Sequence, residues 1–186
     1  MFHFRYVRAG DLRLLGAPVF VNTSVFLATG IIAISALDNP FFALLALVSY
    51  LAIIALHETG HALMAKRIGN PAYRIDIGWL HGRCHYQAPY YEWDEVLISW
   101  GGVLMQLLVA IPILVADAFG LLDSLPLAGP TVVFLGYINL LFALINSAPS
   151  PGFDGAKMWR ILPIIASRVR SRVTAKEAVR NIRKDR

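Results

Sequence analysis

Long apolar segments, separated by short polar ones, dominate the pattern of this chain. Four of them approach the roughly 20 residues that an α-helix needs to cross the hydrocarbon core of a bilayer. Charged side chains gather near their ends and are scarce inside them. The pattern predicts an all-α integral membrane protein with about four transmembrane helices, at residues 18–37, 41–68, 96–119 and 130–148.

The segment between the second and third predicted helices has a different pattern. Residues 73–79 alternate apolar with polar or small side chains, a period of two that is typical of a β-strand. Gly82 and Pro89 supply turns, so a small β-hairpin at the membrane edge is predicted there. This ribbon is either an exposed strand to which an extended substrate adds or a structural element, and the sequence leaves both interpretations open.

The C-terminal part of the chain is interrupted and then basic. An apolar stretch at 158–166 contains Arg160 and Pro163, which favours a helix at the membrane interface over a fifth span. The strongly basic end suits contact with anionic headgroups, but equally a solvated helix or a disordered end. We therefore predict a single membrane domain at 1–167 and a basic cytoplasmic tail at 168–186.

Composition and charge support a membrane protein. Hydrophobic residues make up 57% of the 186 positions and charged residues 16%, against roughly 45–50% and 25% in soluble domains. The net charge of +5 lies around the apolar segments, and no base-reading module is visible, so nucleic acid is not expected as a partner. With four spans, every Lys and Arg falls on one side. The positive-inside rule then predicts cytoplasmic termini, and we expect a prokaryotic cell (inner) membrane.

The pentapeptide His57-Glu58-Thr59-Gly60-His61 carries the clearest chemistry. Residues four apart share one face of a helix, so the two histidines can offer their imidazoles to one metal while Glu58 lies beside them as a base. Such groups are costly at membrane depth and are seldom found there without a task. The alternative is a pair of buried histidines that hydrogen-bond to nearby carbonyl groups.

A third metal ligand has to come from elsewhere, because a catalytic zinc usually has three protein ligands and one open position. Asp154 is the most suggestive candidate, since it follows a Pro- and Gly-rich segment directly after the fourth span. Broken backbone at membrane depth is tolerated only where it is buried in protein or lines a cavity. The other candidates are His3, His81 and His85. His81 and His85 are also four residues apart. Gly82 and the strand-like context nevertheless favour interpreting them as polar residues at the membrane interface and not as a second metal site.

Together these motifs resemble the site-2 proteases, a family of intramembrane zinc metallopeptidases. That family combines an HExxH helix with a later Asn-x-x-Pro-x-Pro-x-x-Asp-Gly segment. Here HETGH at 57–61 and NSAPSPGFDG at 146–155 match every fixed position, and the similarity covers roughly residues 14–160. One departure lies in the third span, where the family often has Gly-Pro-x-x-Asn and residues 102–106 read GVLMQ. Gln106 keeps a similar amide, so the departure concerns substrate handling more than the metal site.

The resemblance implies a role for each matching residue. His57, His61 and Asp154 match the ligands of one zinc ion per chain. Glu58 matches the general base that takes a proton from the attacking water and returns it to the leaving amine. Asn146 matches a polar residue that holds the substrate backbone or the developing oxyanion, and its alternative role is to cap freed carbonyl groups at a helix end.

The sequence therefore predicts an intramembrane zinc metalloendopeptidase that cleaves transmembrane protein substrates in or near their spans, within the lipid bilayer. The alternative is a catalytically silent binding or chaperone module that keeps the same fold. The intact base Glu58 and the intact ligands argue against it. A zinc transporter would need a polar route through both halves of the membrane, which the apolar outer segments do not offer. The substrate, the triggering signal and the oligomeric state stay open.

Overall fold

The computed structural model describes residues 5–35, 38–79 and 82–184, without the side chains of residues 33, 35 and 175–184. Within these ranges the chain is mostly helical and carries one small sheet. We number strands and helices in chain order. The strands are β1 (Tyr6–Leu14), β2 (Ala17–Asn22), β3 (Arg74–Ile77) and β4 (Gly82–His85). The helices are α1 (Ser24–Ser35), α2 (Pro40–Arg67), α3 (Glu92–Ala118), α4 (Ala128–Asn146, π-helical over Val132–Ile138), α5 (Gly155–Met158) and α6 (Ile161–Lys184).

Three helices, α2, α3 and α4, are long and apolar enough to cross a membrane. They contain 28, 27 and 19 residues, and at about 1.5 Å per residue even the shortest spans most of a hydrocarbon core. Their bounds agree with the second, third and fourth predicted spans to within a few residues. Helix α2 begins at Pro40, where the Asn39 side chain accepts a hydrogen bond from the backbone N–H of Phe42. It ends with Lys66 and Arg67, which suit a helix C-terminus.

The first predicted span, at 18–37, is wrong. Its first residues belong to β2, which pairs with β1 on one side and β3 on the other, and α1 contains only 12 residues. A helix of that length extends about 18 Å, well short of a hydrocarbon core of about 30 Å. Val19, Phe20 and Val21 suit a strand as well as a span, so hydropathy did not separate the two. The described ranges thus contain three candidate spans instead of four.

A four-stranded mixed sheet packs against α2 in the order β1-β2-β3-β4. The β2/β3 pair is parallel and the other two pairs are antiparallel. The strand predicted at 73–79 is β3, and it forms a hairpin with β4, while its place at the membrane edge stays a prediction. An all-α class is too narrow, because β1 and β2 were not foreseen. One buried apolar cluster joins the sheet to α2 and includes Val19, Ile75 and Ile77 from the strands and Ile54 and Ala62 from the helix.

Helices α2 and α3 are in close backbone contact at two glycines. A Cβ atom on Gly60 would lie 2.2 Å from the carbonyl oxygen of Gly101, and one on Gly101 would lie 2.5 Å from the carbonyl oxygen of Gly60. Both distances are far below van der Waals contact, so a side chain at either position would force the helices apart. This crossing brings the histidine face of α2 against α3.

Helix α6 runs without a break past residue 167, where the sequence predicted the end of the membrane domain. The Arg168 guanidinium lies 4.7 Å from the ring centroid of Trp93 in the first turn of α3, a cation–π contact. The beginning of α6 therefore lies beside the beginning of a candidate span. The division into domain and tail, and the contact of the tail with headgroups, stay predictions.

Candidate metal centre

Three predicted ligands meet at one point between α2 and the segment after α4. The Nε2 atoms of His57 and His61 are 3.0 Å apart. The Oδ2 atom of Asp154 lies 2.9 Å from the first and 3.1 Å from the second. Among the described residues, these are the three that form a group able to hold a metal ion. The convergence of His57, His61 and Asp154 follows the prediction, while their role as ligands stays a proposal.

The geometry fits zinc. With zinc–ligand bonds of about 2.0–2.1 Å in a tetrahedron, neighbouring ligand atoms lie about 3.3 Å apart. The three observed separations are within a few tenths of an ångström of that value. Two neutral imidazoles and one carboxylate are also a donor set that catalytic zinc uses, with one position left for water or substrate. The residues present therefore suit the ion that the sequence predicts.

Hydrogen bonds fix the orientation of both imidazoles. The Nδ1 atom of His57 lies 2.9 Å from Oε1 of Gln106, and the Nδ1 atom of His61 lies 2.7 Å from the carbonyl oxygen of Ile98. Each oxygen accepts from an Nδ1–H group, which leaves Nε2 free to ligate a metal. Both acceptors belong to α3, so the α2–α3 crossing sets the direction of the rings.

A glycine makes room for the two rings. A Cβ atom on Gly102 would lie 2.5 Å from Cε1 of His57 and 2.6 Å from Nε2 of His61. Real side-chain contacts are about 1 Å longer than this. The imidazoles therefore occupy the space that any other residue at position 102 would fill.

Asp154 reaches the histidines because the chain turns sharply after α4. A Cβ atom on Gly155 would lie 2.2 Å from the carbonyl oxygen of Ala148, so the two arms of this turn are in close contact. The Trp159 indole N–H donates to the carbonyl oxygen of Ser147 at 2.7 Å and holds the turn from the far side. Burial alone would raise the pKa of Asp154, but its hydrogen bonds and charge interactions with both histidines outweigh burial and hold that pKa below its ordinary value. The carboxylate is thus ionised, as a metal ligand must be.

Glu58 is buried beside the ligand group, with 2% of its surface exposed. Its Oε2 atom has no hydrogen-bond partner in the described ranges. The backbone of β4 covers the side chain, since a Cβ atom on Gly82 would lie 2.5 Å from both Cγ and Oε1 of Glu58. A buried carboxylate oxygen without a partner is costly, and Glu58 lines the same cavity as the three candidate ligands.

A cavity of about 380 Å³ opens over this group. Its wall includes the metal group, Glu58, residues of β4, and Asn146 at the end of α4. The predicted substrate-binding residue thus faces the same space as the predicted base, although its action on a substrate is untested. The cavity is large enough for a short extended peptide segment but not for an intact helix, whose diameter is about 10–12 Å.

One of the other candidate ligands, His85, does not join the group. His3 and His81 lie outside the described residues. His85 contacts Asp76 instead, with its Nε2 atom 2.9 Å from Oδ2 of that carboxylate. Cys84 lines the cavity, and burial, aided by the charge of Glu58, raises the pKa of its thiol to about 12. A thiol that stays protonated is a poor metal ligand.

Gln106 has a contact that sequence reasoning missed. Its amide was linked to substrate handling, whereas the structure places its Oε1 atom on His57. The side chain is fully buried. An amide inside a long apolar stretch, one helix away from a metal motif, was the available signal.

Two curated relatives carry zinc metalloprotease names. A zinc metalloprotease of Methanocaldococcus jannaschii is 25% identical over 151 residues, which cover 81% of this chain and 44% of the relative. A Synechocystis sp. protein, assigned to the zinc metalloproteases by name, is 27% identical over 188 residues, which cover 88% of this chain and 48% of the relative. The chain thus spans about half the length of the curated relatives it matches. No family model matches it.

A solved structure shares the fold. The site-2 protease from Methanocaldococcus jannaschii superposes with a TM-score of 0.68 at 21% identity, covering 85% of this chain and 71% of that one. At this identity the likeness shows the fold, and it extends over most of the described elements. The names of the two relatives agree with the zinc chemistry that the two imidazoles and the carboxylate suit.

Proposed function

We propose, on the premise that this chain has the site-2 protease fold and resembles that family in sequence, that it is an intramembrane zinc metalloprotease. It would hydrolyse peptide bonds in or near the transmembrane segments of membrane proteins. The observation that carries this proposal is the meeting of His57, His61 and Asp154 beside the buried carboxylate of Glu58, whose Oε2 atom has no hydrogen-bond partner in the described ranges. Ligands alone would suit a structural metal site, whereas ligands with an adjacent base suit hydrolysis.

Each residue of the centre has a separate task. His57, His61 and Asp154 would hold one zinc ion, which when bound polarises the scissile carbonyl and makes the attacking water more acidic. Glu58 accepts the proton of that water and then donates it to the leaving amine. Because its Oε2 atom has no competing partner in the described ranges, it can accept the proton without first breaking a hydrogen bond.

The substrate has to be extended at the centre, because the carbonyl groups of an intact helix are hydrogen-bonded and shielded. The ribbon at 73–79, which the sequence singled out for strand pairing, is β3, and β3 is already paired on both sides. We therefore assign this role to β4, which ends the described sheet and whose Gly82, Arg83 and Cys84 line the cavity. A substrate strand added there would lie next to Glu58.

Asn146 is the proposed contact for the substrate carbonyl. It is half-buried, lines the cavity and lies at the C-terminal end of α4, seven residues of irregular chain before Asp154. An amide N–H aimed at a carbonyl that develops negative charge stabilises the transition state. The lipid bilayer and a transmembrane protein substrate are the partners that this proposal requires.

The test compares wild type with Glu58→Gln on a single-span substrate in liposomes, with zinc content measured on the same samples. Glutamine keeps the size of the side chain but cannot act as a base, so zinc and fold should survive. Cleavage should fall by at least the roughly 10²–10⁴-fold that a general base contributes.

Equal cleavage by both proteins would refute the role of Glu58. Zinc-loaded wild type that cleaves none of the candidate membrane proteins would favour the silent binding or chaperone module. Membrane proteins that accumulate uncut in cells carrying Glu58→Gln would identify the substrates.

A further inference from the structure

Gln106 and Asn139 are two completely buried amide side chains, each in an apolar stretch of a candidate span. Each is 0% exposed, Gln106 in α3 and Asn139 in α4. Polar groups at membrane depth are costly, and they persist where they satisfy one another or serve a site. Neither residue is a candidate metal ligand. Their contacts, however, lead directly to the metal centre.

The first link joins Gln106 to His57. The Oε1 atom of Gln106 lies 2.9 Å from Nδ1 of His57. An amide oxygen can only accept, so it fixes the proton of the ring on Nδ1 and keeps Nε2 free to face Asp154. If the amide were turned over, its NH₂ group would favour the opposite tautomer. The direction in which Gln106 points therefore decides whether His57 can act as a ligand.

The second link joins Asn139 to Gln106. The Nδ2 atom of Asn139 donates to the backbone carbonyl oxygen of Gln106 at 3.1 Å and to that of Leu135 at 3.3 Å. The remaining polar atoms of the pair, Nε2 of Gln106 and Oδ1 of Asn139, have no hydrogen-bond partner in the described ranges. One is a donor and the other an acceptor, so the two side chains are complementary. Pairing them would hold Oε1 of Gln106 toward His57.

The local backbone of α4 supports this arrangement. The π-helical segment Val132–Ile138 ends directly before Asn139. A π-helix adds residues per turn, which changes the direction of the side chains that follow it, and such segments are frequent at functional sites. Here the residue that follows is the buried asparagine, which contacts α3 at the level of Gln106.

We propose that Gln106 and Asn139 are positioning residues for the metal centre. Gln106 orients the His57 imidazole, and Asn139 fixes Gln106 from α4, so three candidate spans are coupled to the geometry of one ligand. The inference rests on the proposed zinc site. It assigns Gln106 to the metal centre, where the sequence had linked its amide to the substrate.

The first test measures zinc affinity by chelator competition in detergent-solubilised full-length protein. Gln106→Leu removes the acceptor and should weaken zinc binding by about 10–100-fold, the usual cost of losing such a partner. Gln106→Glu restores an acceptor at the same place and should bring the affinity back to near the wild-type value, whatever it does to the thermal midpoint. Thr59→Val is the control, because within the part of the chain that the structure describes the Thr59 hydroxyl donates only to the Ala55 carbonyl oxygen of its own helix.

The second test covers the case in which Gln106→Leu does not fold. Asn139→Leu should weaken zinc binding by a smaller factor, and the absorption spectrum of the cobalt-substituted protein should change because the ligand geometry loosens. Where Gln106→Leu does fold, the two losses should not multiply in the double variant, since both act through His57.

The outcomes separate this inference from the proposed function. Wild type that binds no zinc would remove the metalloprotease proposal itself. Zinc-binding wild type together with unchanged affinity in Gln106→Leu, or in Asn139→Leu where the first variant does not fold, would overturn the positioning roles alone. Fully multiplicative losses would show that Asn139 acts independently of Gln106.

Discussion

Gly102→Ala is expected to disable the metal centre by adding a single methyl group. Its Cβ atom would lie 2.5 Å from Cε1 and 2.8 Å from Nδ1 of His57, and 2.6 Å from Nε2 of His61. Carbon contacts need about 3.5 Å or more, so the two rings have to retreat by about 1 Å. Zinc–ligand distances tolerate only about 0.2 Å. Zinc affinity should therefore fall by at least the roughly 10–100-fold that follows the loss of one outer hydrogen-bond partner.

The assay is zinc competition with a chelating dye, together with the thermal midpoint of the zinc-free protein. Gly30→Ala is the matched control, because Gly30 lies in helix α1 and its added Cβ would meet none of the described neighbouring atoms within 4 Å. A helical Gly→Ala change is by itself stabilising by up to about 1 kcal/mol, so the control should keep zinc affinity and gain slight stability. Zinc binding by Gly102→Ala as tight as in wild type would refute the claim that the two imidazoles meet at the ion.

Two further predictions concern the proposed base Glu58 and the orientation of the protein in the membrane. Gly82→Ala puts a methyl group 2.5 Å from Cγ and Oε1 of Glu58. Cleavage should therefore fall by roughly 10²-fold, as it does when a catalytic group is misplaced by about 1 Å, while the zinc content should stay unchanged. A parallel loss of zinc would mean that β4 supports the metal ligands instead. Cys84 should react with an impermeant maleimide in inverted vesicles and not in intact cells, slowly at neutral pH and faster as pH rises toward its pKa of about 12. Labelling of intact cells would contradict cytoplasmic termini.

The metal centre could be predicted from the sequence because its chemistry is local. The spacing of His57 and His61 fixes their shared face once α2 is a helix, and the Pro- and Gly-rich segment after the fourth predicted span makes Asp154 the most suggestive third ligand, which the resemblance to the site-2 proteases also implies. The structure brings these residues together as expected, with Glu58 beside them. The spacing does not predict the hydrogen-bond partner of each imidazole, because α3 supplies both partners where it crosses α2.

The errors of prediction have a common physical cause, because hydropathy reports burial but not the element that is buried. Val19 and its neighbours are apolar because β2 lies inside a sheet that packs against α2. The same residues would also suit a transmembrane helix. Strand β1 pairs with β2 across a turn at Leu15 and Gly16, a contact that no period in the apolar run reveals. The role of Gln106 was inferred from its own helix alone, whereas its hydrogen-bond partners His57 and Asn139 belong to α2 and α4.

Zinc content per chain tests the central claim most directly. The account predicts about one zinc per chain in purified wild type, measured by mass spectrometry of the metal against protein concentration, and strongly reduced zinc in Asp154→Ala, because two histidines alone leave the site one ligand short. The carboxylate of Asp154 lies within 3.1 Å of both Nε2 atoms, so its removal takes away a ligand without touching α2. Wild type free of zinc after zinc supplementation, or Asp154→Ala with full occupancy, would contradict the account.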